Sequence, residues 1–237
     1  MGQYKTLVLF DVGAVMLKLD YLDFYSKSAS FTGETPKSFS KKFAESGIEK
    51  EVSTRRGYIP TFNAEFRKLL GEKGKGLTDP QLMEIYSLAW PGQIDEVVRL
   101  KKRVFESGNA VGNFSNMGEI SYNFLKQKFP KMFKKYDASF PDFYSFERGF
   151  MKDDDRMFDN DELRKFKKVI LIDDNLNYVS RMASQDGVGI WYTEHLDTFE
   201  TVRIGQIQSP DNMEGVVHAK TFADLERIVA QLGLLSK

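Results

Sequence analysis

The sequence predicts a doubly wound α/β protein: a mostly parallel sheet with helices on both faces, and an all-helical cap inserted after the first strand. Three observations carry this. Short runs that are apolar at nearly every position recur through the chain, as in parallel strands covered on both faces. Helical patterns separate these runs, and alternation of strand and helix builds a doubly wound sheet. One long stretch, residues 18–91, has helical periodicity and no run that reads as a strand.

The elements follow in chain order. The run at 7–10, Leu-Val-Leu-Phe, is the first strand, and it stops abruptly at Asp11. Residues 21–28, 36–46, 61–70 and 80–90 then read as four helices joined by polar or Gly-containing turns. Thr78-Asp79-Pro80 supplies a capping residue and a first-turn proline. A helix at 96–105 closes before Gly108, and a second strand follows at 110–114. Asn116-Met117-Gly118 leads into a helix at 120–129, and a weaker strand occupies 142–146. A helix over 155–166 precedes a strand at 169–172. A helix at 178–184 ends near Gly187, before a strand at 188–192. Residues 209–215 read as a loop, 216–218 as a last short strand and 221–232 as a last helix. The expected division is a core of residues 1–17 and 92–237 and a cap of residues 18–91.

Composition narrows the function classes. The chain has 237 residues, 34 Lys+Arg against 34 Asp+Glu, and 41% hydrophobic residues, enough for a sizeable core and well above a disordered chain. Balanced charge gives no basic footprint for nucleic acid. There is no cysteine, which removes disulfides, thiolate catalysis and cysteine-based zinc sites. It fits a reducing compartment, and a cytoplasmic location is the expectation. No apolar run reaches bilayer length, so no membrane partner is expected. The first residues lack a signal-peptide layout, although Met1–Thr6 matches the loose myristoylation pattern. Nothing in the sequence fixes an oligomeric state.

In open parallel sheets ligands bind beyond the carboxyl ends of the strands. The residues there are Asp11-Val12-Gly13 after the first strand, Ser115 and Asn116 after the second, and Asp173 and Asp174 after the 169–172 strand. Lys152 lies in the loop after the weak strand. Carboxylates this close repel unless a cation sits among them, and all-oxygen ligands suit magnesium. Singly each residue has an ordinary reading: Asp11 as a turn former, Asp173-Asp174 as a helix cap, Ser115-Asn116 as a turn, and Lys152 as a solvated side chain. Their order and spacing together point to one site.

That order resembles the haloacid dehalogenase-like hydrolase superfamily. "LVLFDVGAVML" resembles its first motif, hhhhDxDx[TV], and "VGNFSN" its second, a strand ending in Ser or Thr. "SFERGFMKDDDRMF" is similar to the third, S-x-x-x-G-x-x-K-P-D-x-x-I-F, and "VILIDDNLNYV" to the fourth, hhhhDD. Within 18–91, "RRGYIPTFNAEFRKLL" is similar to the G-x-I-S-x-x-E-F stretch of helical-capped members. The resemblance implies a Rossmann-like core and a magnesium-dependent phosphatase, a phosphoric monoester hydrolase acting on a small phosphorylated metabolite. It implies Asp11 as nucleophile through an aspartyl-phosphate. It implies the Val12 and Gly13 amides, Ser115 and Asn116 as phosphoryl-binding groups, and Lys152 as the cation that orients Asp11. The implied Mg2+ ligands are Asp11, the Gly13 carbonyl, Asp173 and Asp174.

Three departures from the pattern bear on rate. Gly13 stands where most phosphatase members carry a second aspartate, so a carbonyl is kept and a general acid is lost. Asp153 replaces the proline after Lys152 and begins the run Asp153-Asp154-Asp155, which reads as a capped, solvated helix start. Tyr178 stands where Asp or Asn is frequent, with Asn175 and Asn177 nearby as substitutes. Two alternatives therefore stay open: a catalytically weak or inactive binding or regulatory protein on the same scaffold, and a haloacid dehalogenase. His195 and His218 are expected to be surface or cap-facing. Arg55-Arg56 reads as a solvated helix end, with an anionic substrate as its other reading. The Asn113 glycosylation sequon falls in a buried strand and is set aside.

Overall fold

A computed structural model describes residues 4–196 and 213–236. Its main sheet has six strands, all parallel, in the spatial order β5 (Phe143–Tyr144), β4 (Ala110–Ser115), β1 (Thr6–Phe10), β6 (Lys168–Asp173), β7 (Val188–Tyr192), β8 (Val216–Ala219). β1 sits inside the sheet because every residue of its Leu-Val-Leu-Phe run is apolar and fully buried. Leu7 and Leu9 pack with Leu171 and Phe114 on one face, and Val8 and Phe10 pack with Ile170 and Ile172 on the other. This is the period-2 alternation of a strand covered twice. Register aligns the strand ends. Phe10 lies opposite Asn113 on one side and Ile172 on the other. Asp11 therefore emerges level with Asp173, and its N–H still donates to the Ile172 carbonyl at 2.9 Å.

After β1 the chain turns sharply, with Ala14 in the left-handed region at φ 54. It then forms β2 (Leu17–Lys18), which pairs antiparallel with β3 (Gly92–Gln93). Between these two short strands lie α1 (Tyr21–Thr32), α2 (Pro36–Glu45), α3 (Ile48–Thr54), α4 (Ile59–Leu69) and α5 (Asp79–Tyr86). Their common interior is aromatic: Phe24, Phe43, Phe66 and Tyr86 meet ring to ring at 5.4–6.3 Å. Thr78 caps α5 with a reciprocal bond to Gln81, the capping box that Thr78-Asp79-Pro80 announces. α3 is an addition to the four expected helices. It has only two turns, and Ile48 and Val52 are its buried hydrophobic residues.

The rest of the chain alternates around the sheet through α6 (Asp95–Glu106), α7 (Glu119–Lys128), α8 (Ser145–Arg148), α9 (Leu176–Ala183) and α10 (Phe222–Gln231). α9 lies directly on β7: a Cβ on Gly189 would stand 2.4 Å from the Val179 carbonyl oxygen, so only glycine permits this approach. α3 meets the core at Gly118, where an added Cβ would lie 2.9 Å from the Val52 carbonyl. Gly57 N–H donates to Glu119 at 2.5 Å, and Arg56 pairs with Glu147 at 3.2 Å across the same junction.

Two expected elements differ. The weak strand at 142–146 is only Phe143–Tyr144, because Ser145 begins α8 and bonds to the Met117 backbone instead. The expected helix at 155–166 is two short 3-10 turns, Asp155–Met157 and Leu163–Lys165. Asn160 divides them: its side chain accepts from the Glu162 and Leu163 amides and donates to the Met157 carbonyl, a local competition that Asn wins over helix propagation. Among the described residues no helix is long and apolar enough to cross a membrane. Residues 1–3 of the myristoylation pattern, and most of the expected 209–215 loop, lie outside the described residues.

Candidate active site

The edge where β1, β4 and β6 end gathers the expected polar residues. Asp11 (7% exposed), Ser115 (4%), Lys152 (1%) and Asp173 (0%) are all buried there. Lys152 is the pin. Its Nζ lies 2.9 Å from Asp11 Oδ1 and 2.6 Å from Asp173 Oδ2, and its ammonium faces the rings of Phe114 and Tyr178 at 5.4 and 5.2 Å. Its own N–H donates to Asn116 Oδ1 at 2.7 Å. The loop after β5 thus carries Lys152 back to the strand ends, and the ordinary reading of it as a solvated side chain is corrected: two carboxylates and two aromatic faces replace water.

Electrostatics follow from burial and crowding. Oxygens of Asp11, Asp173 and Asp174 lie within 4.8 Å of one another. Burial disfavours the Lys152 ammonium, yet Asp11 and Asp173 outweigh it and its pKa is raised. Burial pushes the Asp173 carboxyl up to about 6, with Asp11 adding and Lys152 opposing. Asp174 is raised well above the carboxylate range by burial, then by the charges of Asp173 and Asp11. Three carboxylates against one ammonium leave a negative pocket made of hard oxygen donors. Those are the conditions a magnesium ion satisfies, and the donor set fits it. Asp11, Gly13 and Asp174 line the cavity, while Asp173 is fully buried and bonded to Lys152. The Gly13 carbonyl also accepts from the Val15 N–H at 2.7 Å, so one lone pair is already used.

The remaining expected residues take clear places. Val12 N–H turns back onto Asp11 Oδ1 at 2.7 Å. Val12, Gly13, Ser115 and Asn116 line one cavity of about 190 Å3 with Asp11, Lys152 and Asp174. Residues 17–90 also line that cavity, including Leu19, Tyr21, Glu49, Tyr86 and Trp90. Sequence reasoning assigned none of these five, since they carry no motif.

Two of the three departures, Asp153 and Tyr178, are bonded to each other beside the site. Asp153 accepts from the Tyr178 hydroxyl at 2.7 Å, and Asn116 Nδ2 donates to the same hydroxyl at 3.3 Å. Arg181 donates to the carbonyls of Lys152 and Asp153 and lies 3.6 Å from Asp155. Asp154 caps the turn at Arg156. The acidic run thus does open a capped turn with Asp153 and Asp155 exposed, though a short 3-10 one, and Tyr178 and Arg181 of α9 hold it from the side. Asn175 caps α9 and Asn177 is exposed, so neither stands in for Tyr178 at the cavity. Arg55 pairs with Glu51 and Arg56 with Glu147. His218 stacks on Trp191 at 4.2 Å, and His195 lies 4.0 Å from Glu96. None of these four lines the cavity. Asn113 is fully buried and bonded to Lys101 and Tyr144.

No protein-family model matches the chain, and no curated protein matches it in sequence. Solved structures do match. A HAD family enzyme of Bacteroides thetaiotaomicron, in complex with magnesium and inorganic phosphate, has a TM-score of 0.67 at 16% identity, covering 83% of this chain and 98% of its own. A predicted HAD-like family hydrolase of Porphyromonas gingivalis has a TM-score of 0.59 at 15% identity, covering 87% and 100%. An L-2-haloacid dehalogenase has a TM-score of 0.54 at 15% identity, covering 97% and 100%. With its parallel sheet order and helical insert, the chain has the fold of the haloacid dehalogenase-like (HAD) hydrolases.

Proposed function

We propose that the chain is a magnesium-dependent phosphomonoesterase that hydrolyses a small phosphorylated metabolite through an aspartyl-phosphate on Asp11. The observation that carries this reading is the buried Lys152 bridge between Asp11 and Asp173, with Asp174 beside it. Val12 N–H and Lys152 both hold Asp11 Oδ1, which leaves Oδ2 to attack phosphorus. The P–O bond to the leaving group breaks and its electron pair stays on the departing oxygen. Water then cleaves the acyl phosphate, returning the carboxylate and releasing phosphate. Ser115 and Lys152 bind the phosphoryl oxygens. Bound magnesium, held by Asp11, Asp174 and the Gly13 carbonyl, would neutralise charge on nucleophile and phosphoryl group together.

Gly13 offers no proton to the departing oxygen. General acid catalysis contributes about 10²–10⁴-fold, so the reading favours leaving groups stable as anions: aryl, acyl or anomeric phosphates. The acid cluster also separates this reading from carbon–halogen hydrolysis, which has no use for a divalent cation. The absence of cysteine supports a cytoplasmic setting.

The test is release of nitrophenol from p-nitrophenyl phosphate with and without magnesium, in wild type and Asp11→Asn. Magnesium-dependent turnover that vanishes in the variant is expected. Equal background rates would sink the proposal. Gly13 also favours a second reading, a binding protein on the same scaffold. That reading predicts magnesium-dependent phosphate binding with no turnover on any ester.

A further inference from the structure

Asp173 and Asp174 are neighbours in the chain, and they are held in different ways. The Asp173 carboxylate is pinned by Lys152 Nζ at 2.6 Å and by the Asn175 N–H at 2.9 Å. Among the described residues, no donor from another residue is bonded to the Asp174 carboxylate. Its direction is therefore set through its own backbone. That backbone is tied by Trp191, whose indole Nε1–H donates to the Asp174 carbonyl at 2.8 Å. Asp173 opposite Trp191 is the last pair of the β6–β7 ladder. The Asp174 carbonyl lies one residue beyond the ladder, and the indole supplies its donor.

Trp191 is itself held in place. It is 8% exposed and stacks on His218, its cross-strand neighbour in β8, at 4.2 Å and 25°. His218 Nε2 lies 2.9 Å from Thr193 Oγ1. β8 thus steadies an indole that reaches from β7 to the end of β6. The ordinary role of such a bond is to satisfy a buried indole N–H. Here the acceptor belongs to an aspartate that lines the cavity and whose carboxylate no other described residue holds. Fixing that carbonyl fixes the peptide from which the carboxylate projects.

Resting on the reading of Asp174 as a magnesium ligand, we propose that Trp191 is a positioning residue for the metal. Its indole N–H holds the Asp174 peptide so that the carboxylate is aimed before the ion arrives. Trp191 acts through Asp174 and reaches neither the substrate nor the reacting atoms. Groups that orient a metal ligand change affinity by about 10–100-fold when they are removed. Trp191 bonds the carbonyl of Asp174 and not its carboxylate, so the expected effect is at the lower end, about tenfold.

The experiment measures magnesium binding by calorimetry, with no substrate present, in wild type and Trp191→Phe. Phenylalanine keeps a ring against His218 and removes the N–H. The magnesium Kd should rise about tenfold. With p-nitrophenyl phosphate, the magnesium concentration giving half the maximal rate should rise by the same factor, while kcat at saturating magnesium stays near wild type. A merely structural Trp191 would lower Tm and leave the magnesium Kd unchanged, and that result overturns the inference. A wild type that binds no magnesium overturns the metal reading and the inference with it. If circular dichroism shows that Trp191→Phe does not fold, Trp90→Phe decides. The chain has two tryptophans, so this variant leaves Trp191 as the sole indole. Its emission should change on saturating magnesium, and chelator should reverse the change. Emission indifferent to magnesium, while calorimetry shows the ion bound, overturns the inference.

Discussion

The Tyr178 hydroxyl donates to Asp153 Oδ1 at 2.7 Å, so two residues that break the sequence pattern hold each other. A proline after Lys152 would stiffen the loop by fixing φ. Here a side-chain bond from α9 does that work, reinforced by Arg181 on the Lys152 and Asp153 carbonyls. The Tyr178 ring also lies 5.2 Å from the Lys152 ammonium. Tyr178→Phe keeps the ring and removes the bond. The expected loss is about 1 kcal/mol of stability, or a Tm lower by about 2–4 °C. Turnover of p-nitrophenyl phosphate should fall several-fold with KM little changed, since Lys152 keeps its charge and loses its fixed position. An unchanged kcat would show that the loop holds Lys152 without Tyr178.

What the sequence disclosed, and what it hid, follows from the range of the forces involved. The 7–10 strand and Asp11 were legible because a doubly buried strand must be apolar throughout, and the polar residue ending it stands out. Ser115, Asp173 and Asp174 were legible for the same reason, since parallel register brings strand ends together. α3 was not: it has two turns, so its Ile48 and Val52 are too few to show a period. The split at 155–166 turned on one Asn160 side chain choosing local amides. The Asp153–Tyr178 pair joins residues 25 positions apart, and Glu49 reaches the cavity from a helix without a motif. Contacts set by tertiary packing leave no spacing to read.

Gly13 is a chemical departure more than a steric one. Its φ is not in the left-handed region, and a Cβ there would meet Leu19 Cδ1 at 3.4 Å, an ordinary contact. Gly13→Asp should therefore fold and return a proton donor to the leaving-group side. Phosphates of simple alcohols should gain about 10²-fold or more in kcat, while nitrophenyl ester, whose leaving group needs no proton, should change little. A plot of rate against leaving-group pKa measures this directly, and the variant should give the flatter slope. Equal slopes would mean that proton donation does not limit this site.

The acid cluster predicts a metal-dependent melting temperature independent of any catalytic assay. Asp11, Asp173 and Asp174 place oxygens within 4.8 Å, with one ammonium to offset them. A ligand that binds only the folded state at a hundred times its Kd adds about 2.7 kcal/mol, which is about 5–10 °C at this size. Saturating magnesium should raise Tm by that amount, chelator should reverse it, and Asp174→Asn should abolish most of it. A Tm indifferent to magnesium would remove the metal from the proposed function.

Lys101 gives the chain a pH signature outside the active site. It is 1% exposed beneath β4, with Nζ donating to Asn113 Oδ1 at 2.5 Å and to the Met132 carbonyl at 3.2 Å. Burial lowers its pKa from 10.5 to about 8, with Asp142 opposing. The folded value lies below the unfolded one, so between pH 8 and 10.5 the unfolded chain holds more protons. Stability from this group is present above 10.5 and lost as pH falls through 8. The difference of the two values corresponds to about 3 kcal/mol. Lys101→Met has no such titration. Urea unfolding across this window should therefore show wild type gaining stability on the variant by up to about that amount as pH rises. Parallel pH profiles for the two proteins would mean that Lys101 keeps its proton in the fold, held by Asn113 and the Met132 carbonyl.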